Sequence, residues 1–313
     1  GGLLVLNAES WSNSKVIQAG SLNVNVGQFS QTASGKLLAS DSLQIRGGNW
    51  TNDGLIASDG ILDMQIGGTY AGSGRLTSQR GAYLSVAQMN VAAAGCFAVG
   101  ASSTVNVGGQ LSNAGRMTSS EDLTINAGSV ANYGTLGAAQ NLIINTPSLL
   151  NDRGLIFSGN NMTLGVSTLT NQHGDFYGLG DVVMGGYGGA ARAAGVYNIS
   201  GSMESGRGFT LSADVFENRT EGPTASVERK LISGLIAASC GDCVGGTFNN
   251  FLATRETYQF FDTETSASAM FNVGKDFTFT GGTFLNSKST VAAGGNITIT
   301  ANSLKNIGAK SGT

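Results

Sequence analysis

Apolar and polar residues in this chain alternate in very short bursts, and the bursts return about every twenty residues. The segments "WTNDGLIAS" (50–58), "YAGSGRLTS" (70–78), "LSNAGRMTS" (111–119) and "VANYGTLGA" (130–138) share one unit: apolar, any, Asn or small, any, Gly, any, apolar, any, small. Marking each unit by its glycine gives Gly35, Gly54, Gly74, Gly95, Gly115, Gly134, Gly154 and Gly174, at intervals of 19, 20, 21, 20, 19, 20 and 20. Eight to ten residues past each marker comes an apolar-polar-apolar triplet such as "LQI" (43–45), "LDM" (62–64), "VNV" (105–107) or "LTI" (123–125). Alternation of period two predicts short strands with one buried face. Each unit thus holds about three short strands, joined by turns rich in Gly, Asn, Asp and Ser, which tolerate left-handed backbone.

A twenty-residue unit cannot close a core by itself, whereas units stacked on one another bury a continuous interior. The fold expected is all-β: a right-handed parallel β-helix, or β-solenoid, with about 20 residues per coil. Its hand follows from the crossover rule, and about a dozen coils at ~4.8 Å per step make a rod about 60 Å long. Asparagine recurs two residues before the marker as Asn13, Asn52, Asn113 and Asn132, and again as Asn286 and Asn306. Stacked in register, those amides form a structural ladder.

The pattern breaks twice. "GGYGGAARAAGVYN" (185–198) delays the next marker to Gly201, an interval of 27. From Gly222 the unit is lost for about fifty residues, then returns as "DFTF" (276–279), "FLNSK" (284–288) and "NITI" (296–299). The division expected is therefore β-helix repeats over 1–221, an irregular insert over 222–270, and repeats resumed over 271–313. Within the insert, "TASVERKLISGLIAAS" (224–239) spaces Val227, Leu231, Leu235 and Ala238 along one helical face after Pro223, which predicts a short amphipathic helix. "GGTFNNFLATRETYQFFDTET" (245–265) then gathers Phe248, Phe251, Arg255, Tyr258, Phe260 and Phe261. That composition suits a receptor-contact patch, and equally a cover over the side of the solenoid.

Composition narrows the chemistry. Of 313 residues 48 are Gly and 2 are Pro, and the net charge is -3, which leaves no basic face for nucleic acid. No apolar run is long enough for stable helical insertion into a membrane. Cys240 and Cys243 form a CxxC pair that supplies half a zinc site at most, and a small disulfide loop is the better reading; Cys96, which aligns with Arg75 and Arg116, is expected unpaired. The single histidine, His173, aligns with Arg153 in a turn and is expected to face solvent. No pattern calls for a metal or a cofactor. The enzymatic alternative, a β-helix polysaccharide lyase or hydrolase, needs carboxylates gathered on one outer face, and here the acids scatter by repeat phase.

Units such as "LSNAGRMTSSEDLTINAGSVANYGTLGAAQNLIIN" (111–145) and "FLNSKSTVAAGGNITITANSLKNIGA" (284–309) resemble the haemagglutinin repeats of the filamentous haemagglutinin family, which includes two-partner-secretion exoproteins and CdiA-type effectors of contact-dependent growth inhibition. The resemblance covers nearly all of 1–221 and 270–313. It implies a secreted filament on a Gram-negative cell surface, exported through an outer-membrane two-partner-secretion transporter and adhering to a host or neighbouring cell. It further implies that the break at 222–270 meets an outer-membrane or host-surface receptor. Nothing in the chain resembles that family's secretion or toxin domains, and the opening "GGLLVLNAES" reads as the middle of a repeat, so a fragment of a longer filament is expected.

Overall fold

The computed structural model describes residues 1–222, 227–240, 250–262 and 266–308; within 227–262, side chains are described for 231–234 and 255–259. It is a parallel β-solenoid of about 14 turns at about 20 residues per coil. Most coils contribute a four-residue strand, such as Arg116–Ser119, and a longer bent strand, such as Leu123–Asn132, while in the first coils the two run together, as in Val16–Gln31 and Lys36–Asn52. Like elements stack in register: Leu123 lies between Ser103 and Leu142, and Met117 between Phe97 and Leu136. The second and third short strands of the sequence reading are joined, because the chain turns the corner at Ala127–Ser129 by a bulge without leaving the ladder.

Period-two patterning decides which side chains go inward. Leu123, Ile125, Val130 and Leu136 from one coil meet Leu142, Ile144, Leu149 and Ile156 from the next, all essentially fully buried. The alternating partners, such as Thr124 and Asn126, are partly exposed on the outside. Burying a side chain of this size contributes about 1.5–3 kcal/mol, so coils that lack any independent core are held by their neighbours.

The marker glycines serve close approach rather than left-handed turns. A Cβ on Gly134 would lie 2.1 Å from the carbonyl oxygen of Gly115, and one on Gly115 would lie 2.2 Å from that of Gly95. Left-handed backbone is found instead at non-glycine residues: Arg153 (φ 55°), His173 (51°), Ser200 (50°) and Lys288 (52°), each two residues past a stacked asparagine.

At the second break the coils close up across the interruption. Phe209–Arg219 pairs directly with Phe277–Ser287, so that Asn218 lies against Asn286, and Ser202–Ser205 pairs with Met270–Val273. Phenylalanines fill the core there: Phe209, Phe271 and Phe277 stand 4.8 Å apart between successive ring centroids, and Phe216 and Phe284 stand 5.1 Å apart. Such ring contacts add to the area they bury.

The amphipathic helix expected over 224–239 is not present. Val227–Cys240 is a strand, paired antiparallel with Asn250–Asp262 in a two-stranded sheet outside the solenoid. Helical spacing was a property of the segment in isolation. Its Val, Leu and Ile residues pair instead with a segment rich in Phe, Tyr and Thr, and residues of these types favour a pleated surface. Among the described residues no helix is long and apolar enough to cross a membrane.

Candidate functional site

Asparagine positions fall into one column through the interior. From Asn113 through Asn132, Asn151, Asn171, Asn198, Asn218 and Asn286 to Asn306, each Nδ2 donates to the Oδ1 of the next amide at 2.7–2.9 Å. The same Nδ2 atoms also reach backbone carbonyls; Asn171, for example, donates to Gly174 at 2.9 Å and to Ser202 at 3.0 Å. A shorter run joins Asn13, Gln31 and Asn52 and ends on the hydroxyl of Tyr70. Full burial pushes the Tyr70 phenol far up in pKa, so it stays protonated. Between the runs stand Gly72 and Val91, and there the Oδ1 of Asn113 is left without a partner. Gln31, Asn151, Asn171, Asn198 and Asn218 were not singled out from the sequence. In the units of Asn151, Asn171 and Asn198 an extra residue separates Asn from the marker, which hides the two-residue spacing.

A second row lies in the turn before each triplet. Asp122 accepts from the backbone and side-chain amides of Asn141 at 3.0 and 2.9 Å, Asp181 from the Gly208 N–H at 2.9 Å, and Asp276 from the Asn296 N–H at 2.7 Å. At another corner, next to the marker Gly54, Asp53 accepts from the hydroxyl and N–H of Ser73, and these bonds hold its carboxyl below the ordinary range. These four carboxylates are thereby occupied in bracing one coil to the next. Among the described residues no three His, Cys, Asp or Glu side chains come together as a metal site would need.

The contact candidates divide by position. Arg255 is exposed and Tyr258 half-buried on the second hairpin strand, opposite Leu235 and Leu231 respectively, and the Tyr258 hydroxyl donates to Glu256. Phe251, Phe260 and Phe261 stand on the same strand, in register with Ser239, Arg229 and Glu228. Phe248 and Cys243 lie outside the described residues, and Cys240 ends the first strand opposite Asn250. Cys96 is a free thiol in register between Arg75 and Arg116. Sequence patterning overlooked a bulge: pairing shifts between Leu231 and Ser233, and the two apolar residues there, Leu231 and Ile232, remain 50% and 47% exposed.

At the hairpin's base the chain leaves and returns through one carboxylate. Glu221 accepts from Gln172 Nε2 at 3.0 Å, meets His173 Nε2 at 2.8 Å and takes Ser266 Oγ at 3.5 Å, while its own N–H donates to Ser200 Oγ at 2.8 Å. His173 is accordingly half-buried against Glu221 rather than facing solvent, because the chain running on from the last coil before the insert sets that carboxylate against its turn. The His173 hydrogen bond, above all, holds the Glu221 carboxyl below the ordinary glutamate range. A depressed carboxyl stabilises the fold above its ordinary range, and that contribution is lost as pH falls through the folded value. Acidification is expected to speed amide exchange at Glu221, corrected for intrinsic rate, before the coils open; protection that stays flat would contradict this tie.

Comparison with known proteins adds a likeness of moderate depth. The chain is 24% identical over 286 residues to a deoxyribonuclease CdiA of Dickeya dadantii (strain 3937), covering 78% of this chain and 8% of that protein. It is 28% identical over 193 residues to a tRNA nuclease CdiA of Escherichia coli (strain STEC_O31), covering 61% of this chain and 5% of that protein. The chain thus spans less than a tenth of the length of the curated relatives it matches. No family model matches it, and no solved structure does. In its repeat units, its stacked coils and its relatives, the chain is similar to a segment of CdiA proteins.

Proposed function

We infer that this chain is a rigid, non-catalytic filament segment of a secreted Gram-negative surface protein, and that the 227–262 hairpin is where it meets a receptor on the target cell. Reach comes from the coils, each paired to two neighbours along its length. Contact comes from the one antiparallel element described, which stands apart from that stack. The observation that carries the reading is the bulge with Leu231 and Ile232 half-exposed beside Tyr258, apolar surface that no coil covers. The CdiA likeness supports a role in contact-dependent inhibition, with export through an outer-membrane transporter and a partner in the target's outer membrane. The catalytic activities in the relatives' names would then belong to parts of those proteins that this chain does not match.

Joining residue 222 directly to residue 266 tests this. The circular-dichroism β signal is expected to change little, since the flanking coils already pair with each other, while binding of chain-coated beads to susceptible Gram-negative cells is lost. Undiminished binding would reject the hairpin as the contact element.

A further inference from the structure

The first interruption of the repeat, 185–198, has no part in the reading above, yet it builds a second surface. Tyr187 and the two residues after it form a single turn, held by the Ala190 N–H on the Tyr187 carbonyl at 3.2 Å. Gly188 and Gly189 take φ of 64° and 88°, a shape that glycine adopts readily. The detour sets Tyr187, 40% exposed, at one end of an open groove of about 570 Å³ on the outside of the solenoid. The groove runs back over successive coils past Asn145, Asn126 and Asn106 as far as Gly67.

The amides in this groove differ from those in the core. Asn145 Nδ2 donates to Asn126 Oδ1 at 3.0 Å, and Asn126 Nδ2 donates to Asn106 Oδ1 at 2.8 Å. Those two bonds leave each half-buried amide with an N–H and an oxygen lone pair for the groove. Core asparagines, by contrast, also bond the backbone carbonyls around them. No charged side chain lines the groove. Its floor is kept low where bulk would fit: a Cβ on Gly108 would meet nothing closer than 3.9 Å.

We propose that this groove binds a neutral oligosaccharide, lying along the rod axis, with Tyr187 stacked on a sugar ring and Asn106, Asn126 and Asn145 paired to hydroxyls. An amide that both donates and accepts matches a pair of adjacent hydroxyls. The coil step of ~4.8 Å is close to the length of one pyranose unit, so successive amides meet successive sugars. A ring face beside polar groups suits the mixed apolar and polar faces of a pyranose. With no charged group, the groove has nothing to favour an anionic polymer, and with no carboxylate it has no acid or base for cleavage.

Affinity electrophoresis of the 313-residue chain in gels holding β-glucan, mannan or lipid-free O-antigen polysaccharide tests the site and separates extracellular-matrix from bacterial-envelope sources. Retardation is expected with at least one of these and not with polygalacturonate. Tyr187→Ala and Gly108→Leu, the first removing the ring and the second filling the floor, should each weaken it about tenfold, with melting temperature unchanged. No retardation by any neutral polymer, retardation by polygalacturonate alone, or retardation of both variants equal to that of the unaltered chain would overturn the proposal.

Discussion

Replacing Asn171 by leucine is expected to destabilise the solenoid by about 4 kcal/mol, one buried acceptor left without a partner at ~1–3 kcal/mol together with three further hydrogen bonds lost at ~1 kcal/mol each. The residue is fully buried, and its amide joins two neighbours in the column. Leucine would orphan the Oδ1 of Asn198, remove one acceptor from Asn151, and take one donor each from the carbonyls of Ser202 and Gly174, the latter keeping the Ser202 N–H. Urea unfolding measures the loss. Asn126 in the outer row, half-buried with fewer bonds, should cost less than about 1 kcal/mol when changed to leucine, because water replaces its partners. Equal effects at the two sites would mean that the interior column contributes no more than a surface row.

Gly134→Ala is expected to be nearly as damaging, at about 3 kcal/mol, the upper end of ordinary overpacking. Its new methyl would stand 2.1 Å from the Gly115 carbonyl oxygen and 2.7 Å from backbone atoms of Ala114. These are main-chain atoms of the preceding coil, so relief requires the coils to part. The matched control is Gly67→Ala, where the nearest atom is 3.9 Å away and stability should hardly change. The same urea titration compares the two, and a mild effect at Gly134 would show that coil spacing yields easily.

The coil period was legible in the sequence because stacking demands two things at fixed phase, a residue without a side chain and an inward apolar pair. Both leave marks that survive substitution elsewhere. The asparagine column was only half legible. Asn13, Asn52, Asn113 and Asn132 keep the two-residue spacing, whereas Asn151, Asn171 and Asn198 precede a longer turn in which Arg153, His173 and Ser200 take positive φ. Gln31 fills the column with a different amide. The bracing acids had a signal that was not used: an Asp or Asn stands immediately before the triplet in several units, as at Asp122, Asn141, Asn161 and Asp181.

The hairpin was misread because its pairing is not local. Leu231 and Leu235 fit a helical face as well as a strand, and only the antiparallel partner at 250–262 decides between them. His173 was placed in the right turn, but its neighbour Glu221 is 48 residues away in sequence, beyond the reach of any repeat alignment. Tyr187 shows the converse: a lapse in periodicity, visible as an interval of 27, marked the segment that builds the groove wall.

The measurement that bears most directly on stacked coils is a spin-label distance between Asn23→Cys and Thr210→Cys, with the three native cysteines changed to serine. These positions share one phase and are linked through Gln44, Asp63, Tyr83, Thr104, Thr124, Ile143, Thr163 and Val183, nine pairing steps in all. A regular rod gives a narrow distribution near ~43 Å, nine steps of ~4.8 Å. A broad distribution, or one centred well below ~30 Å as in a compact globule, would contradict it.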